Sequence, residues 1–221
     1  HKQAVIDELV DIDELAAAIG AVNTLVRTEG GFKGYNTDIL GLDRELSDVG
    51  ISLDDKCVVI IGAGGAARAI AFLCAGKKAS EIYIINRTLE KAQNIADAVN
   101  EYAKKDIAKA VGISECGSFD KKDYIVIQTT SVGLHPHDDE TAVTAGEFYE
   151  NAAAGVDIIY NPYETMFMKL MKKHGKPSYN GLKMLLYQGV AAYELWNDCK
   201  ISSDMADIIY EDMKKELGIS E

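Results

Sequence analysis

The chain has 221 residues, 48% hydrophobic and 26% charged, with a formal net charge of −12. Such a balance suits a globular protein of one or two domains, and its acidity excludes a general polyanion binder such as a nucleic-acid protein. No apolar run approaches the ~20 residues of a membrane span, and no signal-peptide pattern is present, so a cytoplasmic protein with no membrane partner is expected. The first residues are His1-Lys2 rather than Met, and a preceding portion is expected as well.

In chain order, Lys2 to Ile19 carries Val5, Ile6, Leu9, Leu15 and Ile19 at helical spacing, which predicts an amphipathic helix with a possible break near Asp11–Asp13. "GAVNTLVRTEGGFKGYNTD" then reads as a hairpin turning at Glu29-Gly30-Gly31. Asn23 and Asn36 sit at its ends, where turn chemistry and a ligand site both explain them. Asp38 is the expected N-cap of a helix running to about Val49. From Lys56 the chain becomes continuous apolar strands separated by helices: "KCVVII", "EIYIIN", "AKAVGI", "DYIVIQTT", "AAGVDIIY" and a short "KPSYNG". Apolar runs without alternation indicate a doubly wound parallel α/β sheet covered on both faces. Two helices, "GLKMLLYQGVAAYELW" and "SDMADIIYEDMKKELG", close the sequence.

Cys57, Cys74, Cys116 and Cys199 are scattered without a CxxC pair and read as reduced thiols. His135-Pro136-His137-Asp138-Asp139 reads as a solvated loop, and no metal is expected.

Gly62-Ala63-Gly64-Gly65-Ala66-Ala67 fits G-x-G-x-x-A directly between a strand and a helix. In that position the first glycine allows a tight turn and the second admits a pyrophosphate. Ala67 lets the helix pack closely on the sheet, its N-terminus facing the negative charge. An NAD site expects an acid at the end of the second strand; here that end reads Asn86-Arg87-Thr88, with Lys91 one turn on. Arg87 and Thr88 suit a 2′-phosphate, so NADP is the expected cofactor.

"GAVNT", "YNTD", "GAGGAARA", "NRTLEKA", "TTSVGLHP", "DIIYNPYET" and "GLKMLLYQGVAAYELW" occur in one order that resembles the shikimate dehydrogenase family, from Lys2 to Trp196. The resemblance implies an enzyme that reduces 3-dehydroshikimate to shikimate with NADPH, its substrate bound in a cleft between a substrate domain and a Rossmann-type nucleotide domain. It implies Lys2 and Asp38 as the catalytic pair. Asn23, Tyr160 and Gln188 complete the substrate site, the last two from the nucleotide-domain side. Ile158 and Gly181 lie where the family's backbone meets the nicotinamide, beside the cofactor residues Gly62, Ala63, Gly64, Gly65, Ala66, Asn86, Arg87, Thr88 and Lys91. The implied domains are the end of an incomplete substrate domain (1–37), the NADP domain with its linking helix (38–197) and a C-terminal helix (198–221). The family's Ser-x-Ser pair and its substrate-domain threonine have no counterpart here, so NADP binding with poor turnover is expected of this chain alone. A small-molecule substrate and a monomer or homodimer are expected. The alternatives are an NAD-using quinate/shikimate dehydrogenase and a non-catalytic NADP-binding module. Methylenetetrahydrofolate dehydrogenase-like proteins would not be expected to carry both GAVNT and NTD.

Overall fold

The computed structural model describes residues 5–219 and divides into two compact units, 1–51 with 182–221 and 52–181. The expected boundaries at 37/38 and 197/198 therefore move. The helix after the hairpin and the helix from Leu182 pack on each other within the first unit, so neither belongs to the nucleotide unit.

The first unit opens with a 3-10 turn, Ile6–Glu8, then strand β1, Asp11–Ile12, and helix α1, Glu14–Ile19. The helix expected over 2–19, with its break near Asp11–Asp13, is thus corrected for the described residues: the break is a strand, and only Glu14–Ile19 is α-helical. Asp11 and Ile12 pair in parallel with Lys33 and Gly34, and Asp13 caps α1 by accepting from Leu15 and Ala16 N–H. Two acids that bond backbone amides locally prevent the helix from extending back. Strands β2, Thr24–Thr28, and β3, Gly31–Tyr35, form the expected antiparallel hairpin, with Gly30 at φ +86° in its turn. Helix α2 spans Thr37–Asp48, with Asn36 rather than Asp38 at the N-cap position.

The second unit begins with β4, Cys57–Ile61, helix α3, Gly65–Gly76, strand β5, Glu81–Asn86, and helix α4, Leu89–Ala103. Strands β6, Ala108–Gly112, and β7, Tyr124–Gln128, precede a short helix α5, Gly146–Asn151. Strand β8, Ala152–Asp157, helix α6, Met166–Lys173, and strand β9, Ser178–Asn180, complete it. The six strands lie in the order β6-β5-β4-β7-β8-β9, all parallel. The runs read as strands are buried because both faces are covered: Val58, Val59 and Ile60 are fully enclosed, as are Ile82, Ile84, Val126 and Ile127. Counted from β4, this is the 3-2-1-4-5-6 order of a Rossmann sheet, whose order reverses between β4 and β7. Ligands of such sheets bind outside the strand carboxyl ends at that reversal.

Helices α7, Leu182–Asn197, and α8, Ser203–Glu216, return the chain to the first unit. There Leu186, Tyr187, Val190 and Ala206 form a small core. Among the described residues, no helix is long and apolar enough to cross a membrane.

Candidate functional site

The glycine turn lies at the carboxyl end of β4, beside the reversal. Gly62 has φ +115°, a left-handed conformation that disfavours any side chain, and a Cβ there would stand 2.5 Å from Thr129 Oγ1. A Cβ on Gly64 or Gly65 would meet nothing within 4 Å. Gly64 has ordinary extended backbone and is the residue before α3, so its bare Cα faces open space at a helix N-terminus. That is the opening a phosphate needs in order to reach the backbone amides. Ala67 is buried, as close packing of α3 on the sheet requires.

A cavity of about 320 Å³ opens here, lined by Gly62, Ala63 and Gly64, by Asn86, Arg87, Thr88 and Lys91, and by Thr129, Thr130 and Ser131. Asn86 Nδ2 donates to Thr88 O at 2.9 Å, folding the end of β5 back so that Arg87 is carried out on an exposed bend. The charged lining residues are Arg87 and Lys91, with no acid among them. A protein of net charge −12 thus has local cationic and hydroxyl donors at the one place where an anionic nucleotide is expected. The residues fit a dinucleotide with an additional phosphate on the ribose: bare glycine backbone for the pyrophosphate, Arg87, Lys91 and Thr88 for the second anion.

Seven expected cofactor residues share this cavity; Gly65, Ala66, Ile158 and Gly181 do not line it. Gly65 and Ala66 already lie in the first turn of α3. Ile158 and Gly181 form a separate tight contact, a Cβ on Gly181 standing 2.2 Å from Ile158 O, while Gly181 N–H donates to Ile159 O at 3.0 Å. The composition of Thr129, Thr130 and Ser131 did not mark them as a site. Their signal is positional, since they follow β7, the other strand of the reversal.

In the first unit, Asn23 links the hairpin to α2. Its Oδ1 accepts from Thr37 N–H at 2.8 Å, supplying the helix cap that Asn36 does not make. Its Nδ2 donates to Asp38 Oδ1 at 2.9 Å. Asn36 instead donates from Nδ2 to Ala21 O. The two asparagines therefore have structural work, and Asn23 also aims a carboxylate. Gly41, one turn along α2, allows α7 to approach: a Cβ there would stand 2.6 Å from Met184 O and 2.8 Å from Gln188 N. Gln188 consequently belongs with Asn23 and Asp38 in the first unit, not with the nucleotide unit as expected. Tyr160, 40% exposed, belongs to the second unit. Lys2 lies outside the described residues.

One further acid stands out. Glu45 on α2 is buried, and neither of its oxygens has a hydrogen-bond partner. Burial pushes it up to about 8; Lys183 and the nearby Met184 backbone pull the other way without meeting hydrogen-bond geometry. Elsewhere, His135 pairs with Asp138 and His137 with Glu140 on exposed surface, and among the described residues no group of three metal-ligating side chains gathers.

A model of the family described as shikimate / quinate 5-dehydrogenase matches residues 45–135, and one of the shikimate 5′-dehydrogenase C-terminal domain matches 181–204. A curated relative, shikimate dehydrogenase (NADP(+)) of Methanothermobacter thermautotrophicus, is 42% identical over 198 residues, 89% of this chain and 69% of the relative. Among solved structures, a chorismate mutase/shikimate 5-dehydrogenase fusion protein from Clostridium acetobutylicum superposes with TM-score 0.86 at 35% identity, covering 97% of this chain and 75% of that one. A shikimate dehydrogenase in complex with NADP+ superposes with TM-score 0.83 at 35% identity, covering 100% and 75%. With its glycine turn, its acid-free cavity and these similarities, the chain belongs to the shikimate dehydrogenase family.

Proposed function

We infer that this protein reduces 3-dehydroshikimate to shikimate, reversibly, with NADPH. The observation that carries the reading is the cavity at the ends of β4, β5 and β7, with Arg87 and Lys91 its charged lining residues. When bound there, the reduced nicotinamide supplies a hydride to the substrate's carbonyl carbon.

The roles of the chain's own residues follow from the resemblance and from the local geometry that supports it. The carbonyl oxygen needs a proton as the carbon is reduced. Lys2 is proposed to donate it as an ammonium and to reclaim it in the reverse direction. Asp38 would orient that ammonium and accept from a ring hydroxyl, its carboxylate held by Asn23. Asn23, Gln188 and Tyr160 would complete recognition of the ring. Gly62, Ala63, Gly64, Gly65 and Ala66 would cradle the pyrophosphate, and Asn86, Arg87, Thr88 and Lys91 the adenosine phosphate. Ile158 and Gly181 would present backbone to the nicotinamide. The proposed setting is cytoplasmic, as a monomer or homodimer.

The test is oxidation of NADPH on addition of 3-dehydroshikimate, run against NADH and against quinate with NAD+. Turnover with NADPH well above NADH supports the reading. Preference for NAD+ with quinate would assign it to the quinate branch, and tight NADP+ binding with no turnover of either substrate would leave a binding module.

A further inference from the structure

Gln128 is the last residue of β7 and is 1% exposed, so it does not line the nucleotide cavity. Its side chain is fully engaged. Oε1 accepts from Thr130 N–H at 2.5 Å, and Nε2 lies 3.3 Å from each of Thr130 O, Val132 O and Asp157 Oδ1. Asp157 ends the neighbouring strand β8 and is completely enclosed. Its Oδ1 also accepts from Ile159 N–H at 3.0 Å, and its Oδ2 accepts from Thr165 Oγ1 at 2.7 Å. Ile158 N–H donates to Gln128 O at 3.1 Å, and Thr165 caps α6 by accepting from Met168 N–H.

One buried amide and one buried acid thus join two loops. The loop after β7 carries Thr130 and Ser131, which line the cavity. The loop after β8 carries Ile158 and Tyr160 and rests against Gly181. We propose that Gln128 is a positioning residue for the nucleotide, its amide clamping the Thr129–Val132 loop to the Asp157–Thr165 loop so that both present a fixed surface to the cofactor. The proposal rests on the reading that the cavity binds NADP.

The chemistry demands an amide. The position needs an acceptor toward Thr130 N–H and a donor toward Asp157, which a neutral amide offers on one planar group. An apolar side chain of similar length would leave the Thr130 N–H and an Asp157 oxygen short of partners in a buried place. A carboxylate would supply the acceptor but face Asp157 with like charge. A protonated carboxyl would restore both functions. The groups around Asp157 are the Thr165 hydroxyl, the Ile159 amide, the Gln128 amide and, across from α5, the Tyr149 phenol. None of them carries a charge at neutral pH, and burial pushes Asp157 up to about 6 against the opposing hydrogen bonds from Thr165, Ile159 and Gln128. A second carboxyl at position 128 would therefore share a proton with it in mildly acidic solution.

The experiment is calorimetric titration of NADP+ into the wild-type protein, Gln128→Leu and Gln128→Glu at pH 5.5 and 8. Affinities are expressed as ratios to wild type at each pH, which removes the titration of the nucleotide's own phosphate. Gln128→Leu is expected to weaken binding roughly tenfold or more at both pH values, the scale of a buried group left unpaired. Gln128→Glu is expected to bind as weakly at pH 8 and to recover toward wild type at pH 5.5. A purely architectural role would lower the melting temperature of both variants without a pH-dependent affinity ratio. If Gln128→Leu does not fold, the Gln128→Glu ratio decides alone. Folded variants with wild-type affinity at both pH values, or a Gln128→Glu ratio that ignores pH, would overturn the clamp while leaving the cofactor reading intact. Failure of the wild-type protein to bind NADP+ would overturn both.

Discussion

Asn23 holds Asp38: its Nδ2 donates to the aspartate's Oδ1 at 2.9 Å while its own carbonyl caps the same helix through Thr37 N–H. One side chain therefore does two separable jobs. Asn23→Asp keeps the acceptor that caps α2 but sets a carboxylate against Asp38, so stability should hold in acid and fall toward neutral pH. Asn23→Ala loses the cap at all pH values, costing about 1 kcal/mol, and removes the amide that donates to Asp38. Urea melts at pH 5 and 7.5, with shikimate affinity measured alongside, would separate the two; equal losses for both variants at both pH values would refute the division.

Arg87 sits on an exposed bend at the rim of the cavity. Arg87→Ala should weaken NADPH binding by about 1.5–3 kcal/mol, the range for a charge-assisted bond, and leave NADH nearly unchanged. Direct titration with both nucleotides is the check. A parallel loss would place Arg87 away from the 2′-phosphate.

The two glycines of the turn should fail in different ways. Gly62→Ala meets Thr129 and an unfavourable φ, so it should lower the melting temperature. Gly64→Val has open space and unstrained backbone, so the protein should fold normally and lose nucleotide affinity, because the side chain takes the phosphate's place. Circular dichroism with NADP+ titration distinguishes them.

Glu45 sets a pH dependence whose sign can be worked out. Its carboxyl is pushed up from 4.5 to about 8 in the folded protein. The folded state therefore favours the protonated form. The associated stability is complete below about pH 4.5, declines as pH rises from there to 8, and is flat beyond. Asp157, pushed up from 3.8 to about 6, acts with the same sign over the lower part of that window. Glu45→Gln should flatten the profile above pH 6 and stabilise the protein at pH 8, by an amount on the order of a few kcal/mol. Denaturant melts across pH 5 to 8.5 measure it, and an unchanged slope would remove Glu45 as the cause.

Lys2 and Asp38 are proposed to act together. Lys2→Ala should lower kcat by about 10²–10⁴-fold with a smaller change in KM, since the lost interaction is strongest in the transition state. Asp38→Asn should harm both parameters. A double variant little worse than Lys2→Ala would mark them as one unit; clean additivity would separate them.

The parallel sheet was legible because enclosure on both faces leaves an unbroken apolar run, as in Val58–Ile61 and Ile82–Ile85. The nucleotide turn was legible because its glycines fall between such a run and a helix. Position in space was less so. The strand Asp11–Ile12 exists only through its partner Lys33–Gly34, and helical spacing on either side disguised it. Thr129–Ser131 join the cavity through strand order, and no residue type among them announces it. Gln188 changed units because Gly41, an unobtrusive residue in mid-helix, lets α2 and α7 touch.

The first unit is written in two pieces, with all of Ser52–Gly181 between them. On a ribosome this becomes a schedule. Helix α2 emerges early with Ile39, Leu42 and Leu46 on the side that the finished protein buries, but its partner α7 has not yet been translated. At ordinary elongation rates the wait is on the order of ten seconds, long enough for the nucleotide unit to assemble first. During that interval the apolar face of α2 stands uncovered in the nascent chain, making this stretch of synthesis the one in which a holding chaperone, or a pause in translation, would most change the yield of folded protein.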